Sequence, residues 1–155
     1  MSHFKEVIQA VEYIKKKINF SPEIGIILGS GLGDLVNQVK NKIVFPYADI
    51  PGFPVSTVKG HAGNLIFGKL QSKNVAVMQG RFHFYEGHPI SRVVLGVRVM
   101  GLLGIKTLFV TNAAGGINPS FSPGDLMVIK DHINFHGENP AIGEEIPEFG
   151  PRFFD

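Results

Sequence analysis

The chain has 155 residues, enough for one domain with a substantial core. Hydrophobic residues make up 44% of it and charged residues 18%, which excludes an intrinsically disordered chain. A formal net charge of +2 is too small to indicate binding to nucleic acid or to a membrane surface, so any anion site must be local. The absence of cysteine excludes disulfides and thiol chemistry. No long apolar segment opens the chain, so we expect no signal peptide and a cytoplasmic protein.

Hydrophobic periodicity divides the chain into helices and strands. Apolar residues recur at helical spacing over residues 4–18, which predicts an amphipathic N-terminal helix. Continuous apolar runs at residues 24–28 and 75–78 are typical of buried strands in a covered sheet. A crossover helix and a strand at residues 106–111 follow, and this order predicts parallel strands in an α/β sheet. Further short strands are predicted at residues 43–45, 55–58 and 125–130.

The most informative stretch is MQGRFHFYEG, which continues directly from the second buried strand. In an extended chain, successive side chains point to opposite faces. One predicted face carries the polar side chains Arg81, His83 and Tyr85. The other carries Phe82 and Phe84, which we expect to anchor the segment in the core.

The polar face of this stretch predicts a phosphate site. Arg81 suits a two-oxygen anion because its planar guanidinium makes paired hydrogen bonds, and His83 adds a donor that gains charge near neutral pH. A solvated strand end with an ion pair between Arg81 and Glu86 explains the same residues equally well. A metal site formed by His83, Glu86 and His88 is disfavoured, because these residues lie on both faces and nothing nearby completes a ligand set.

Two other strand ends carry loops that suit a ligand. Residues 29–33, GSGLG, form a glycine turn whose free amides can face an anion, and Ser30 adds a hydroxyl. A dinucleotide-binding loop would have glycine where Asp34 stands, which disfavours an NAD-dependent oxidoreductase. Residues 111–116, TNAAGG, leave space beyond a carboxyl end of the sheet, where ligands of α/β proteins bind. Tight packing remains the alternative explanation for either loop.

These motifs occur together and in order, with GHAG at residues 60–63, DHIN at 131–134 and GPRF at 150–153. With them the chain closely resembles the purine nucleoside phosphorylases of the trimeric class, over its whole length. The related methylthioadenosine phosphorylases are less similar and stay as an alternative. The resemblance implies reversible phosphorolysis of purine ribo- or deoxyribonucleosides to free base and pentose 1-phosphate. It also implies no cofactor, since phosphate is a substrate, a homotrimer, and a mixed, mainly parallel twisted sheet flanked by helices.

The resemblance assigns roles to individual residues. The residues that it implies for phosphate binding are Ser30, His61, Arg81, His83 and Ala113. Those that it implies for the sugar and the base are Tyr85, Asn112, Ala113, Ala114, Gly115 and Phe153. The catalytic set that it implies is His61, His83 and Glu86. In this set His61 closes over the phosphate and Glu86 is an orienting partner, while Phe153 covers the sugar bound to a neighbouring subunit. Phe154 stands where the family usually has proline.

Length is the larger departure from the family pattern. Family members continue well beyond residue 155, and their additional part contains the residues that bind and protonate the purine. We therefore interpret residues 1–155 as a single α/β domain that forms the N-terminal portion of a longer phosphorylase domain. From this chain alone we expect weak or no phosphorolysis, with phosphate binding retained. A non-catalytic phosphate- or nucleotide-binding α/β module is the alternative from a different functional class.

Overall fold

The computed structural model describes residues 3–54 and 62–153. Its α-helices are His3–Lys15 (α1), Ile90–Val93 (α2) and Leu95–Leu102 (α3). Its strands are Ile24–Leu28 (β1), Lys40–Pro46 (β2), Asn64–Leu70 (β3), Lys73–Gln79 (β4) and Thr107–Val110 (β5). Short 3₁₀ turns lie at Gly33–Gln38, Tyr47–Asp49, Phe84–Glu86 and Pro147–Phe149. None of the described helices is long and apolar enough to cross a membrane. The strand predicted at residues 55–58 lies outside the described residues.

The five strands form one mixed sheet in the order β2-β3-β4-β1-β5. β1 lies between β4 and β5 and is parallel to both, whereas β3 pairs antiparallel with β2 and with β4. This arrangement confirms the mixed α/β sheet that was expected. β4 and β5, which the crossover helices connect, run in the same direction as predicted, but β1 separates them in the sheet.

The amphipathic N-terminal helix covers one face of the sheet. Its buried side chains form a stripe at helical spacing, namely Val7, Ala10, Val11 and Ile14, and they pack in one cluster with residues of α3 and β4. The helix ends at Lys15, three residues earlier than the apolar pattern predicted, although Ile18 still packs against the same core. A second, smaller cluster on the other face joins β1, β3 and β4.

The prediction of an extended chain through residue 86 is wrong. The backbone folds into the 3₁₀ turn Phe84–Glu86, which ends at Gly87 in the left-handed region at φ 83°. The turn forms because the Glu86 carboxylate accepts the main-chain N–H of His83. Phe84 is therefore 47% exposed and does not anchor the core, whereas Phe82 is buried as predicted.

The strand predicted at residues 125–130 is also wrong, because these residues have no regular structure. Leu126 and Val128 are 93% and 92% exposed. An apolar run becomes a strand only where a neighbouring strand satisfies its main-chain groups, and the five-stranded sheet does not extend to this segment. Hydrophobic composition alone therefore misled the prediction.

Candidate functional site

The carboxyl ends of three parallel strands meet at one edge of the sheet. The register pairs Leu28 at the end of β1 with Gln79 at the end of β4, and pairs Ile27 with Val110 of β5. Ser30, Arg81 and the loop after β5 therefore leave the sheet on the same side. Nε2 of Gln79 also donates to the Gly33 carbonyl at 3.5 Å, which holds the glycine turn over the end of β4. The fold thus brings together the predicted loops at one edge, the place where α/β proteins bind ligands.

Gly29 lets β1 approach the loop after β5 very closely. A Cβ at this buried position would lie 2.5 Å from the carbonyl oxygen of Thr111 and 2.7 Å from Cα of Asn112, distances that backbone atoms cannot relieve by small shifts. The Gly29 N–H donates to the Thr111 hydroxyl at 2.8 Å. Close packing therefore explains why glycine is required at position 29. The sequence had left two explanations open for this glycine turn, an anion site and tight packing.

Arg81 is joined to the end of β5. Its Nη1 donates to the Thr111 carbonyl at 3.1 Å, across thirty residues of sequence. The guanidinium is half-buried, and this bond occupies one of its five N–H donors. A guanidinium held in this way can still offer paired donors to an anion.

His83 and Glu86 form a pair at the start of the 3₁₀ turn. Oε1 of Glu86 lies 2.9 Å from Nδ1 of His83, and the side chains of His83 and Glu86 are only 14% and 4% exposed. Because a carboxylate oxygen only accepts hydrogen bonds, Nδ1 carries a proton in this pair. These contacts hold the His83 ring against Glu86, and the orienting role expected of Glu86 in a phosphate site stays a prediction.

Tyr85 lies on the outside of this pair. Its ring stacks on the His83 imidazole, with centroids 4.7 Å apart and an interplanar angle of 24°. Tyr85 itself is 74% exposed. Its aromatic face and hydroxyl are therefore accessible to a ligand beside the imidazole.

Behind the site, Tyr47 fixes the residue that precedes Arg81. Its buried hydroxyl donates to the Gly80 carbonyl at 2.6 Å, and its ring packs against Phe82 and Phe53 with centroids 4.9 and 5.5 Å away. Burial raises the pKa of the Tyr47 phenol well above its ordinary value, so the group remains a donor. Gly80 has a φ of 102°, which favours glycine and turns the chain at the end of β4.

The small residues after β5 are on the surface. Asn112, Ala113, Ala114 and Gly115 are all exposed, and the Asn112 amide donates to the Ala113 carbonyl at 3.1 Å. A Cβ at Gly115 would contact no heavy atom of the described residues within 4 Å. As far as the described residues go, the space expected here is open to solvent and is not enclosed as a purine pocket would be.

Two further predicted site residues are Phe153 and His61. Phe153 is 84% exposed and lines a shallow groove of about 420 Å³ with Asn139, Ile142 and Arg152, all from the segment that follows the sheet. His61 and Phe154 lie outside the described residues. Within residues 3–54 and 62–153, His, Asp and Glu nowhere form a group of three that is suited to a metal ion.

Comparison with known proteins identifies the family. A model described as "Phosphorylase superfamily" matches residues 23–155. The chain belongs to this superfamily. Among its members, purine nucleoside phosphorylase 1 of Geobacillus stearothermophilus is 56% identical over 147 residues, which are 95% of this chain and 54% of the relative. The purine nucleoside phosphorylase of Bos taurus is 55% identical over 135 residues, which are 85% of this chain and 47% of the relative. The chain spans about half the length of these relatives.

Solved structures of the superfamily share the fold. Isoform 2 of purine nucleoside phosphorylase from Schistosoma mansoni, in complex with cytosine and ribose-1-phosphate, is 46% identical with a TM-score of 0.88. That match covers 98% of this chain and 54% of the other. A schistosoma purine nucleoside phosphorylase in complex with hypoxanthine is 48% identical, also with a TM-score of 0.88, over 99% of this chain and 55% of the other. The expected resemblance to purine nucleoside phosphorylases is therefore confirmed.

Two residues of this phosphorylase-superfamily site were not predicted from the sequence. Thr111 was noted only as part of a loop, yet its hydroxyl and carbonyl contact the chain at β1 and Arg81. Tyr47 lies in a proline-rich stretch without any recognisable motif. The one sequence signal that could have identified Thr111 is its position directly after an apolar strand, with a glycine turn after a neighbouring strand.

Proposed function

We propose that this chain carries the phosphate-binding part of a purine nucleoside phosphorylase site. The observation that carries the proposal is the position of Arg81, bonded to the end of β5 and flanked by the glycine turn that holds Ser30. His83, held by Glu86, follows two residues later. A guanidinium, an imidazole, a hydroxyl and the main-chain amides of a glycine turn match the needs of an oxyanion. The relatives named above support phosphate and a purine nucleoside as the substrates.

The proposed reaction transfers the pentose from the base to phosphate. A phosphate oxygen forms a bond with the anomeric carbon while the bond from that carbon to the purine nitrogen breaks. The bonding pair leaves with the purine, which takes up a proton, and the products are free base and pentose 1-phosphate. Because positive charge develops on the sugar, catalysis consists mainly of positioning the phosphate and stabilising charge. Ser30, Arg81, His83 and the Ala113 amide would hold the phosphate, with His61 closing over it.

The sugar and base are assigned to the exposed side of the same edge. The exposed ring of Tyr85, stacked on His83, is suited to contact a ribose beside the phosphate. Asn112, Ala114 and Gly115 would lie against the base. The schistosoma relatives were solved with ribose-1-phosphate, cytosine and hypoxanthine, which supports a sugar phosphate and a base as the ligands.

We further propose that the whole protein is a cytoplasmic homotrimer. Phe153 is 84% exposed at the edge of an apolar groove, which suits a side chain that covers the sugar in a neighbouring subunit. Sedimentation velocity of the whole protein tests this directly. A trimer that falls apart in Phe153→Ala would support the assignment, and a monomeric wild-type protein would contradict it.

A second candidate function is phosphate binding without turnover. The exposure of Ala113, Ala114 and Gly115 favours it, because an open surface does not enclose a leaving base. Incubating the chain with inosine and phosphate and measuring hypoxanthine by liquid chromatography separates the two functions. Release of hypoxanthine that requires phosphate establishes the phosphorylase. Because residues 1–155 alone are expected to release little or no base, phosphate stabilisation without base release establishes the binding module only when the whole protein shows it. The absence of both base release and phosphate stabilisation contradicts the proposed site.

A further inference from the structure

At Thr111 the hydrogen bonds between β1 and β5 depart from those of a regular parallel ladder, because a side-chain hydroxyl takes the place of a main-chain acceptor. Its N–H donates to the Ile27 carbonyl at 3.0 Å, as in a regular parallel pair. The next bond of a regular ladder would run from the Gly29 N–H to the Thr111 carbonyl. In this protein the Gly29 N–H donates to the Thr111 hydroxyl at 2.8 Å, and the hydroxyl in turn donates to the Ile27 carbonyl at 2.9 Å.

Because the Gly29 N–H donates to the hydroxyl, the Thr111 carbonyl is left for another donor. That carbonyl accepts Nη1 of Arg81 at 3.1 Å. A single residue thus bonds to β1 through its hydroxyl and to the side chain after β4 through its carbonyl. Gly29 belongs to the same arrangement, because a Cβ there would lie 2.5 Å from the carbonyl oxygen that Arg81 uses.

We infer that Thr111 is a positioning residue: its hydroxyl replaces a main-chain acceptor so that its carbonyl can hold the Arg81 guanidinium beside the Ser30 turn. This inference rests on the proposed function, since the guanidinium is the group assigned to phosphate. Without the hydroxyl, the Gly29 N–H keeps a protein acceptor only if the Thr111 carbonyl turns toward it, as in a regular parallel ladder. That turn takes the carbonyl away from Arg81, so the guanidinium loses its anchor and samples other rotamers.

The variants Thr111→Val, Thr111→Ala and Thr111→Ser separate this role from simple packing. Valine keeps the shape but lacks the hydroxyl, alanine lacks both the hydroxyl and the methyl group, and serine keeps the hydroxyl. Thr107→Val is the matched control, because Thr107 is an exposed threonine at the opposite end of β5. Titration calorimetry with inorganic phosphate should show affinity about five- to tenfold weaker in T111V and T111A, and close to wild type in T111S and T107V.

A second measurement follows the anchor itself. The Arg81 Nε–Hε resonance should move, and amide hydrogen exchange at Gly29 should accelerate, in T111V and T111A but not in T111S or T107V. If T111V does not fold, the comparison of T111A with T111S decides the question. Equal phosphate affinity in T111A and T111S would overturn the inference. A wild-type chain that binds no phosphate contradicts the proposed function instead, and the inference about Thr111 then fails only if the Arg81 resonance is unchanged in T111A.

Discussion

Oε1 of Glu86 lies 2.9 Å from both the main-chain nitrogen and Nδ1 of His83, so one carboxylate oxygen fixes the backbone and the ring of the same residue. The contact closes the 3₁₀ turn that follows β4. It also fixes which ring nitrogen can face a ligand. The imidazole is thereby set in place before any phosphate binds.

Glu86→Ala should weaken both the fold and the site. The main-chain N–H and Nδ1 of His83 lose their acceptor, the Glu86 side chain, which is only 4% exposed. We therefore expect the free energy of unfolding, measured in urea, to fall by about 1–3 kcal/mol. Glu86→Gln keeps a carbonyl acceptor and should lie closer to wild type. The control is Glu12→Ala on the exposed side of α1, expected within about 0.5 kcal/mol of wild type. Equal stability of E86A and E12A would show that the pair has no structural role.

Arg81→Ala should weaken phosphate binding by about 1.5–3 kcal/mol, the range for a charged hydrogen-bonding group. Arg81→Lys should recover only part of the loss, because an ammonium cannot make the paired bonds of a guanidinium. Titration calorimetry with inorganic phosphate measures both variants. Lys5→Ala on α1 removes the same charge from an exposed site and should leave the affinity unchanged. A phosphate affinity that R81A leaves intact would show that Arg81 only ties the end of β4 to the end of β5.

Tyr47→Phe should destabilise the fold, since the buried Gly80 carbonyl loses its donor at 2.6 Å. We expect a loss of about 1–2 kcal/mol in the free energy of unfolding. Tyr13→Phe is the control, because the Tyr13 hydroxyl contacts Lys17 at an exposed site. If Y47F and Y13F unfold at the same denaturant concentration, the Tyr47 bond contributes nothing measurable.

The same tyrosine should make stability depend on alkaline pH. Burial raises the pKa of Tyr47 above its ordinary value of 10.0, so above that pH the unfolded chain loses a proton that the folded chain keeps. The free energy of unfolding therefore falls as pH rises, by up to about 1.4 kcal/mol per pH unit for one proton. Urea titrations between neutral and strongly alkaline pH should show a shallower decline for Y47F than for Y13F. Parallel curves would contradict this.

His3 should make stability fall at acidic pH. Its burial and the neighbouring Arg98 guanidinium lower the pKa of the imidazole from its ordinary 6.5, although Glu6 opposes part of this effect. Below that pH the unfolded chain binds a proton that the folded chain does not yet bind, so the free energy of unfolding decreases as pH falls. His3→Gln should flatten the decline, and His132→Gln at an exposed position should not. If the free energy of unfolding falls equally in H3Q and in the wild type, groups other than His3 cause the decline.

The sequence predicted the elements whose information is local. The spacing of Val7, Val11 and Ile14 was sufficient to predict α1, and the apolar run before Gln79 was sufficient to predict a buried β4. The turn at Phe84–Glu86 was missed because its cause is a side chain folding back onto the main chain of His83.

Other features depend on partners far away in the sequence. Nothing local indicates that β1 separates β4 from β5, or that the Thr111 carbonyl is left for Arg81. For the same reason residues 125–130 were predicted as a strand, since their composition is suitable and only the missing neighbour decides otherwise. The motifs therefore located the candidate site, while the bonds that hold its residues had to come from the structure.

The most direct test of the account is a phosphate titration followed by ¹H–¹⁵N NMR on the uniformly labelled chain. Its central claim is that the Ser30 turn, Arg81 and His83 surround one anion. We predict that the amides of Ser30, Arg81, His83 and Ala113 shift together and saturate with a single Kd, and that this Kd rises roughly 10- to 150-fold at all four in R81A. Phosphate shifts confined to other residues, or different Kd values at Ser30 and Arg81, would contradict it.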